Sequence, residues 1–161
     1  MTTAQYNQCV DAHADGVYRF ILNNIRDEEK ARDIVQDAFE KMWIKVEDIS
    51  FDKAKSYLFT TAYHTMIDAI RRDSKITTAD EAVLQERGYN HEYSDLKEIL
   101  GKALQLLPDM QRSVVLLRDY EGYSYQEIGE ITGLSESQVK VYIYRARVFL
   151  KNYLVRLEVF S

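Results

Sequence analysis

The chain has 161 residues, 46% of them hydrophobic, and carries 21 Lys and Arg against 26 Asp and Glu for a net charge of −5 at pH 7. This composition excludes a disordered polyelectrolyte, and the length allows either one domain or two small ones near the lower limit for a self-sufficient core. No stretch approaches the roughly 20 apolar residues of a membrane span, and the polar start MTTAQYNQ has no signal-peptide pattern, so the expectation is a cytoplasmic protein with no membrane insertion.

One Pro and six Gly leave little turn material, and apolar residues recur at spacings of three and four. The reading is therefore all-α. The lone Cys9 cannot form an internal disulfide, so its role is structural or neutral. In EEKARDIVQDAFEKMW, one stripe holds Ala31, Ile34, Val35, Ala38, Met42 and Val46, the signature of a core face. A second stripe repeats Asp33, Gln36, Asp37 and Glu40 at helical spacing and faces outward. Phe39 and Trp43 fit a core position as well as a surface one. A further helix from about Ser56 points Leu58, Ala62, Met66, Ala69 and Ile70 inward and Thr60, Thr61, Tyr63, His64, Arg71 and Arg72 outward. That aromatic and basic mixture suits stacking on unpaired bases and holding a phosphate backbone.

From Ile76 to Glu98 there are six acids against two bases, with Gly88, Asn90 and weak periodicity. Residues 76–95 read as a flexible acidic linker between two small helical domains, 1–75 and 96–161. In the second domain, Ser124 with Glu127 makes a capping box that starts a helix; Gly133 suits its left-handed end, and Ser135 with Gln138 starts another helix at once. Two helices joined by so short a turn, with Leu134 at the corner, form a helix-turn-helix. Val139, Ile143, Ala146 and Leu150 make the second helix's buried stripe. Ser137, Lys140, Val141, Tyr144 and Arg145 fall on its other faces, near the N-terminal half that meets base edges and phosphates in such motifs. Lys140 to Arg156 contains five bases and no acid, so the local field favours DNA although the net charge does not.

No catalytic constellation emerges from the sequence. His13, His64 and His91 lie in separate segments without a completing Cys or acid, and there is no Gly-rich phosphate loop or nucleophile with a matched base. The expectation is a non-enzyme with no cofactor and no metal.

The segments DIVQDAFEKMW, SYLFTTAYHTMIDAIRR and LPDMQRSVVLLRDYEGYSYQEIGEITGLSESQVKVYIYRAR resemble, in order and spacing, regions two and four of the bacterial sigma-70 family, in its extracytoplasmic-function (ECF) group. The resemblance covers nearly the whole chain. It implies a factor that binds core RNA polymerase and directs promoter recognition, promoter melting and transcription initiation. On that likeness, Asp33, Gln36, Asp37 and Glu40 would dock on the β′ clamp helices, and the second domain would also meet the β flap. Tyr63, His64, Arg71 and Arg72 would act at the minus-ten element, and Ser137, Lys140, Val141, Tyr144 and Arg145 at the minus-thirty-five element. An anti-sigma factor is a further partner that this group commonly has. The chain departs from the family at His64, where relatives often carry Asn, and at Gln138, where they often carry Thr. Two other readings of the residues stay open: a stand-alone helix-turn-helix regulator, and a sigma-like decoy that occupies polymerase without reading promoters.

Overall fold

The computed structural model describes residues 1–76 and 92–159. Most of the expected linker, residues 77–91, lies outside them. Ile76 ends one helix and residues 92–95 open another, so the helical segments reach further toward each other than the sequence implied.

Seven α-helices form the described residues: α1 (Thr3–Ile25), α2 (Glu28–Ile44), α3 (Ala54–Ile76), α4 (Glu92–Leu106), α5 (Asp109–Val115), α6 (Tyr125–Thr132) and α7 (Glu136–Val159). Local chemistry sets their ends. The Thr2 hydroxyl accepts from the Gln5 amide and the Gln5 side chain accepts from Thr2, a capping box that starts α1. Arg26 closes α1 at φ 58°, where its amide donates to the Leu22 carbonyl, and Asp27 caps α2 by accepting from the Lys30 amide. A 3-10 turn, Phe51–Lys53, leads into α3, which begins slightly before the expected Ser56. Pro108, lacking an amide proton, sits just ahead of α5 where none is needed. A π turn, Leu116–Tyr120, continues α5 toward the loop before α6.

The first three helices pack together through Val17, Phe20 and Ile21 of α1, Ala31, Ile34, Ala38 and Met42 of α2, and Leu58, Ala62 and Met66 of α3. Val35, Ala69 and Ile70 are only half-buried, and Val46 lies in the turn beyond α2, so the expected stripes are narrower than the spacing implied. In the second half, Val114, Val115 and Leu117 meet Ile128 and Ile131 of α6 and Val139, Ile143 and Ala146 of α7. Leu134 packs at the α6–α7 corner, and Leu150 is half-buried.

These two sets of helices share one core. An adjacent face of α3 carries Phe59 and Tyr63, which pack on the second half, Phe59 also meeting Phe20 of α1. The Phe59 ring meets Tyr123 edge-on at 5.1 Å, and the Tyr63 hydroxyl lies 3.3 Å from the Met110 sulfur. Tyr63, expected to face outward, is therefore only 3% exposed. Its periodicity was compatible with either face, and the second half supplies the cover. A buried polar knot joins the halves nearby: the Asn24 side-chain oxygen accepts from Arg112 Nε at 3.3 Å and from the Ser113 hydroxyl at 3.0 Å. Gln105 donates to the Asn24 carbonyl at 2.9 Å, satisfying a terminal carbonyl of α1.

Both predicted caps of the helix-turn-helix form. Ser124 and Glu127 exchange hydrogen bonds at 3.0 and 3.2 Å, as do Ser135 and Gln138 at 3.0 and 3.2 Å. Gly133 ends α6 at φ 81°. A Cβ on Gly129 would lie 2.8 Å from the Leu134 carbonyl oxygen, so its smallness serves the turn's own backbone. Gly133→Ala should cost about 1 to 2 kcal/mol of stability through left-handed strain alone. Gly129→Ala should cost more, because backbone must move; urea denaturation of both variants ranks them. The hydrogen bond that the Ser124 amide donates to the Glu127 carboxylate, aided by the Ser124 side chain, holds that carboxyl below its ordinary value of 4.5. A depressed carboxylate stabilises the fold above the unfolded-state pKa and loses that contribution as pH falls through the folded-state value. Stability should therefore decline below about pH 4.5 in part through Glu127, and Glu127→Gln should flatten that part of the acid limb in thermal melts.

Candidate nucleic-acid interface

The short turn and paired caps fix α7 against α6 so that its buried stripe commits the opposite face to solvent. Ser137, Lys140, Val141, Tyr144 and Arg145 are all exposed there, with Tyr144 70% exposed. Lys140 sits 3.6 Å from Glu136 and 5.6 Å from the Tyr125 ring centre, contacts weak enough to be exchanged for a phosphate or a base edge. Arg147 is different. Its guanidinium makes a two-pronged ion pair with Asp119, with Nε 3.0 Å from Oδ2, and the hydrogen bonding raises its pKa further. Of the five bases from Lys140 to Arg156, one is thus turned back onto the protein.

On α3, His64, Arg71 and Arg72 are exposed, whereas Tyr63 beside them is buried. The His64 and Tyr63 rings meet edge-on at 5.4 Å, so the two side chains are coupled although only one reaches solvent. Burial raises the Tyr63 pKa, reinforced by the nearby Asp109 carboxylate.

Asp33, Gln36 and Glu40 are exposed along α2, and Asp37 is half-exposed. Gln36 donates to Glu40 at 3.3 Å, while Asp37 pairs with Lys41 at 2.9 Å. An open groove between α2 and α3 is lined by Asp33, Asp37, Lys41, Asp68, Arg71 and Arg72. Asp33 and Asp37 of the stripe and the basic end of α3 therefore border the same groove, a proximity not evident from sequence separation. The helical stripe also continues further than expected: Trp43 and Ile44, three and four residues beyond Glu40, are exposed, Ile44 at 79%. The same spacing that revealed the polar residues could have found them. Trp43 meets Tyr6 edge-on at 4.9 Å and still presents a face outward. Among the described residues, no helix is long and apolar enough to cross a membrane.

Comparison with known proteins gives these surfaces a common setting. Residues 9–76 match the family model for sigma-70 region 2 and residues 97–150 that for sigma-70 region 4. The chain is 30% identical over 148 residues to the RNA polymerase sigma factor SigV of Bacillus subtilis strain 168, spanning 90% of this chain and 88% of that protein. It is 29% identical over 144 residues to the ECF RNA polymerase sigma factor SigM of the same organism, spanning 86% and 88%. The solved structure of the sigma factor RpoE in complex with the anti-sigma factor NepR from Bartonella quintana superposes with a TM-score of 0.78 at 26% identity, over 92% of this chain and 96% of that one. CnrH, solved with the cytosolic domain of CnrY, shares the fold with a TM-score of 0.72 at 24% identity, over 94% and 88%. With region two and region four in this order over nearly its whole length, the chain belongs to the sigma-70 family of RNA polymerase sigma factors, in the ECF group.

Proposed function

We propose that this ECF sigma factor docks on core RNA polymerase through the exposed face of α2, places α3 at the minus-ten element and α7 at the minus-thirty-five element, and so directs promoter melting and transcription initiation. The observation that carries the assignment is the pairing, in one short chain, of an exposed acidic and polar stripe on α2 with an exposed aromatic and basic face on α7. In this reading Asp33, Gln36, Asp37 and Glu40 meet the β′ clamp helices, and the region-four helices also meet the β flap. His64, Arg71 and Arg72, with Tyr63 once uncovered, hold the minus-ten strand. Ser137, Lys140, Val141, Tyr144 and Arg145 read the minus-thirty-five groove. The factor supplies recognition and strand opening while polymerase supplies catalysis, so it is no enzyme itself and works in the cytoplasm. An anti-sigma factor is its expected regulator, supported by the sigma and anti-sigma complex among its structural relatives.

An acidic chain can serve this role because binding to core makes the promoter contacts intramolecular, and linked binding raises the effective concentration of a weak recognition helix. Run-off transcription with purified core polymerase and a promoter library should yield discrete start sites. A stand-alone regulator or a decoy would give none.

Asp37→Lys, and more weakly Gln36→Ala, should reduce co-purification with core while leaving helical circular dichroism unchanged; undiminished co-purification would remove α2 from the interface. Lys140→Ala or Arg145→Ala should cost about 1 to 3 kcal/mol of promoter discrimination if the side chain reads a base, and weaken all sequences alike if it only holds phosphate. Transcription across a minus-thirty-five library separates those outcomes. An imidazole cannot pair with a base edge through adjacent donor and acceptor as a carboxamide does. His64→Asn should therefore change which minus-ten base is preferred without abolishing melting, and a randomised minus-ten library reads the change.

A further inference from the structure

Three cations gather at the start of the helix-turn-helix. Arg118 lies 4.6 Å from the Tyr125 ring centre and Lys140 5.6 Å from it. Arg147, whose pKa is raised by hydrogen bonding to Asp119 and further by Tyr125, completes the group. Arg147 stands on the same stripe of α7 as Lys140 and Tyr144, two helical turns and about 10 Å beyond Lys140. Its side chain is 48% exposed, yet both arms of the guanidinium fork are taken by Asp119 of the π turn, Nε at 3.0 Å from Oδ2 and Nη2 against Oδ1.

We propose that Asp119 is an affinity-setting residue: its carboxylate stands in for a DNA phosphate on Arg147 and withholds from α7 one sequence-independent contact. The inference rests on the assignment of α7 to the minus-thirty-five groove.

A carboxylate and a phosphate both offer paired oxygens to the guanidinium fork, so one can fill the place of the other. Lys140 supplies the contrast. Its partner Glu136 lies on its own helix at 3.6 Å, too far for a hydrogen bond, and a phosphate displaces such a contact at little cost. Asp119 reaches Arg147 from a different element and makes two hydrogen bonds at once. A phosphate approaching Arg147 has to break both, and it then lies beside the carboxylate it displaced, where like charge opposes the exchange. Arg118 offers no replacement, because it is half-buried and donates to the Tyr123 carbonyl at 2.9 Å.

Asp119→Asn releases Arg147, and the double variant Asp119→Asn/Arg147→Gln removes both charges while keeping the net charge of the parent. The two side chains are 36% and 48% exposed, so neither change opens the core. Fluorescence anisotropy of the full chain on a labelled mixed-sequence duplex, from about 50 to 200 mM KCl, reads affinity and salt dependence together. Asp119→Asn should bind on the order of three- to tenfold tighter at the low end, with a log–log salt slope steeper by about 0.9, the mark of one more neutralised phosphate. The double variant should return to the parent in both. A duplex selected from a randomised minus-thirty-five pool should gain by the same factor as the mixed one, because phosphate contacts carry no sequence information.

An Asp119→Asn chain that binds no tighter at the parental slope would overturn the proposal. So would a double variant weaker and flatter than the parent, since Arg147 would then already hold a phosphate. A lower melting temperature with weaker binding in Asp119→Asn would make the pair a strut for α7, and a gain confined to the selected duplex would make Arg147 a base reader; either result also overturns it. Lys140→Ala in the parent checks the underlying assignment separately: an unchanged salt slope there would remove α7 from the DNA surface, and the proposal with it.

Discussion

Helix α3 is buried on two sides, and the arrangement of the molecule follows from that constraint. Its Leu58, Ala62 and Met66 complete the packing of α1 and α2, while Phe59 and Tyr63, rotated around the same helix, require a second cover. Each half alone is small enough that its surface competes with its core. Joining them through α3 produces one continuous core, and it also brings the residues most suited to stacking on bases into the interior. The same aromatic surface cannot face the core and the DNA at once.

Charge is partitioned with similar economy. Acid exceeds base over the chain as a whole, most densely between Ile76 and Glu98, yet the exposed face of α7 is basic, so a field that repels DNA at long range coexists with a helix able to hold it at contact. Binding of Arg147 by Asp119 trims the basic face further, lowering the number of phosphates that α7 can neutralise. A helix weakened in this way discriminates only when something else holds it in place.

Much of this was legible in the residues. The capping boxes at Ser124 and Ser135, the left-handed Gly133 and the stripe Val139, Ile143 and Ala146 are local features, and local chemistry determines them. The polar stripe of α2 was visible for the same reason. Periodicity places Tyr63 on an outward face but does not say what lies against that face, and the second half covers it. The role of Asn24 was invisible: one polar residue near the end of a helix carries no mark of the Arg112 and Ser113 side chains that reach it from 88 and 89 positions away. The sequence alone does not place Trp43, because an aromatic residue serves equally well in a core or on a docking surface.

The chemistry at the junction differs from that inside either half, and the difference bears on how the molecule can move. Within the halves, aliphatic side chains interdigitate and no solvent can replace their contacts. Across the junction, a carboxamide, a guanidinium, a hydroxyl and an ion pair with its Glu121 side chain buried share the contact with aromatic rings and the common apolar core. Hydrogen bonds of that kind contribute little net free energy because water offers an alternative for each of them. They specify a single docked arrangement through their directionality, but they do not make separation prohibitive. The directional polar contacts at the junction hold the two halves in register around the apolar core that they share.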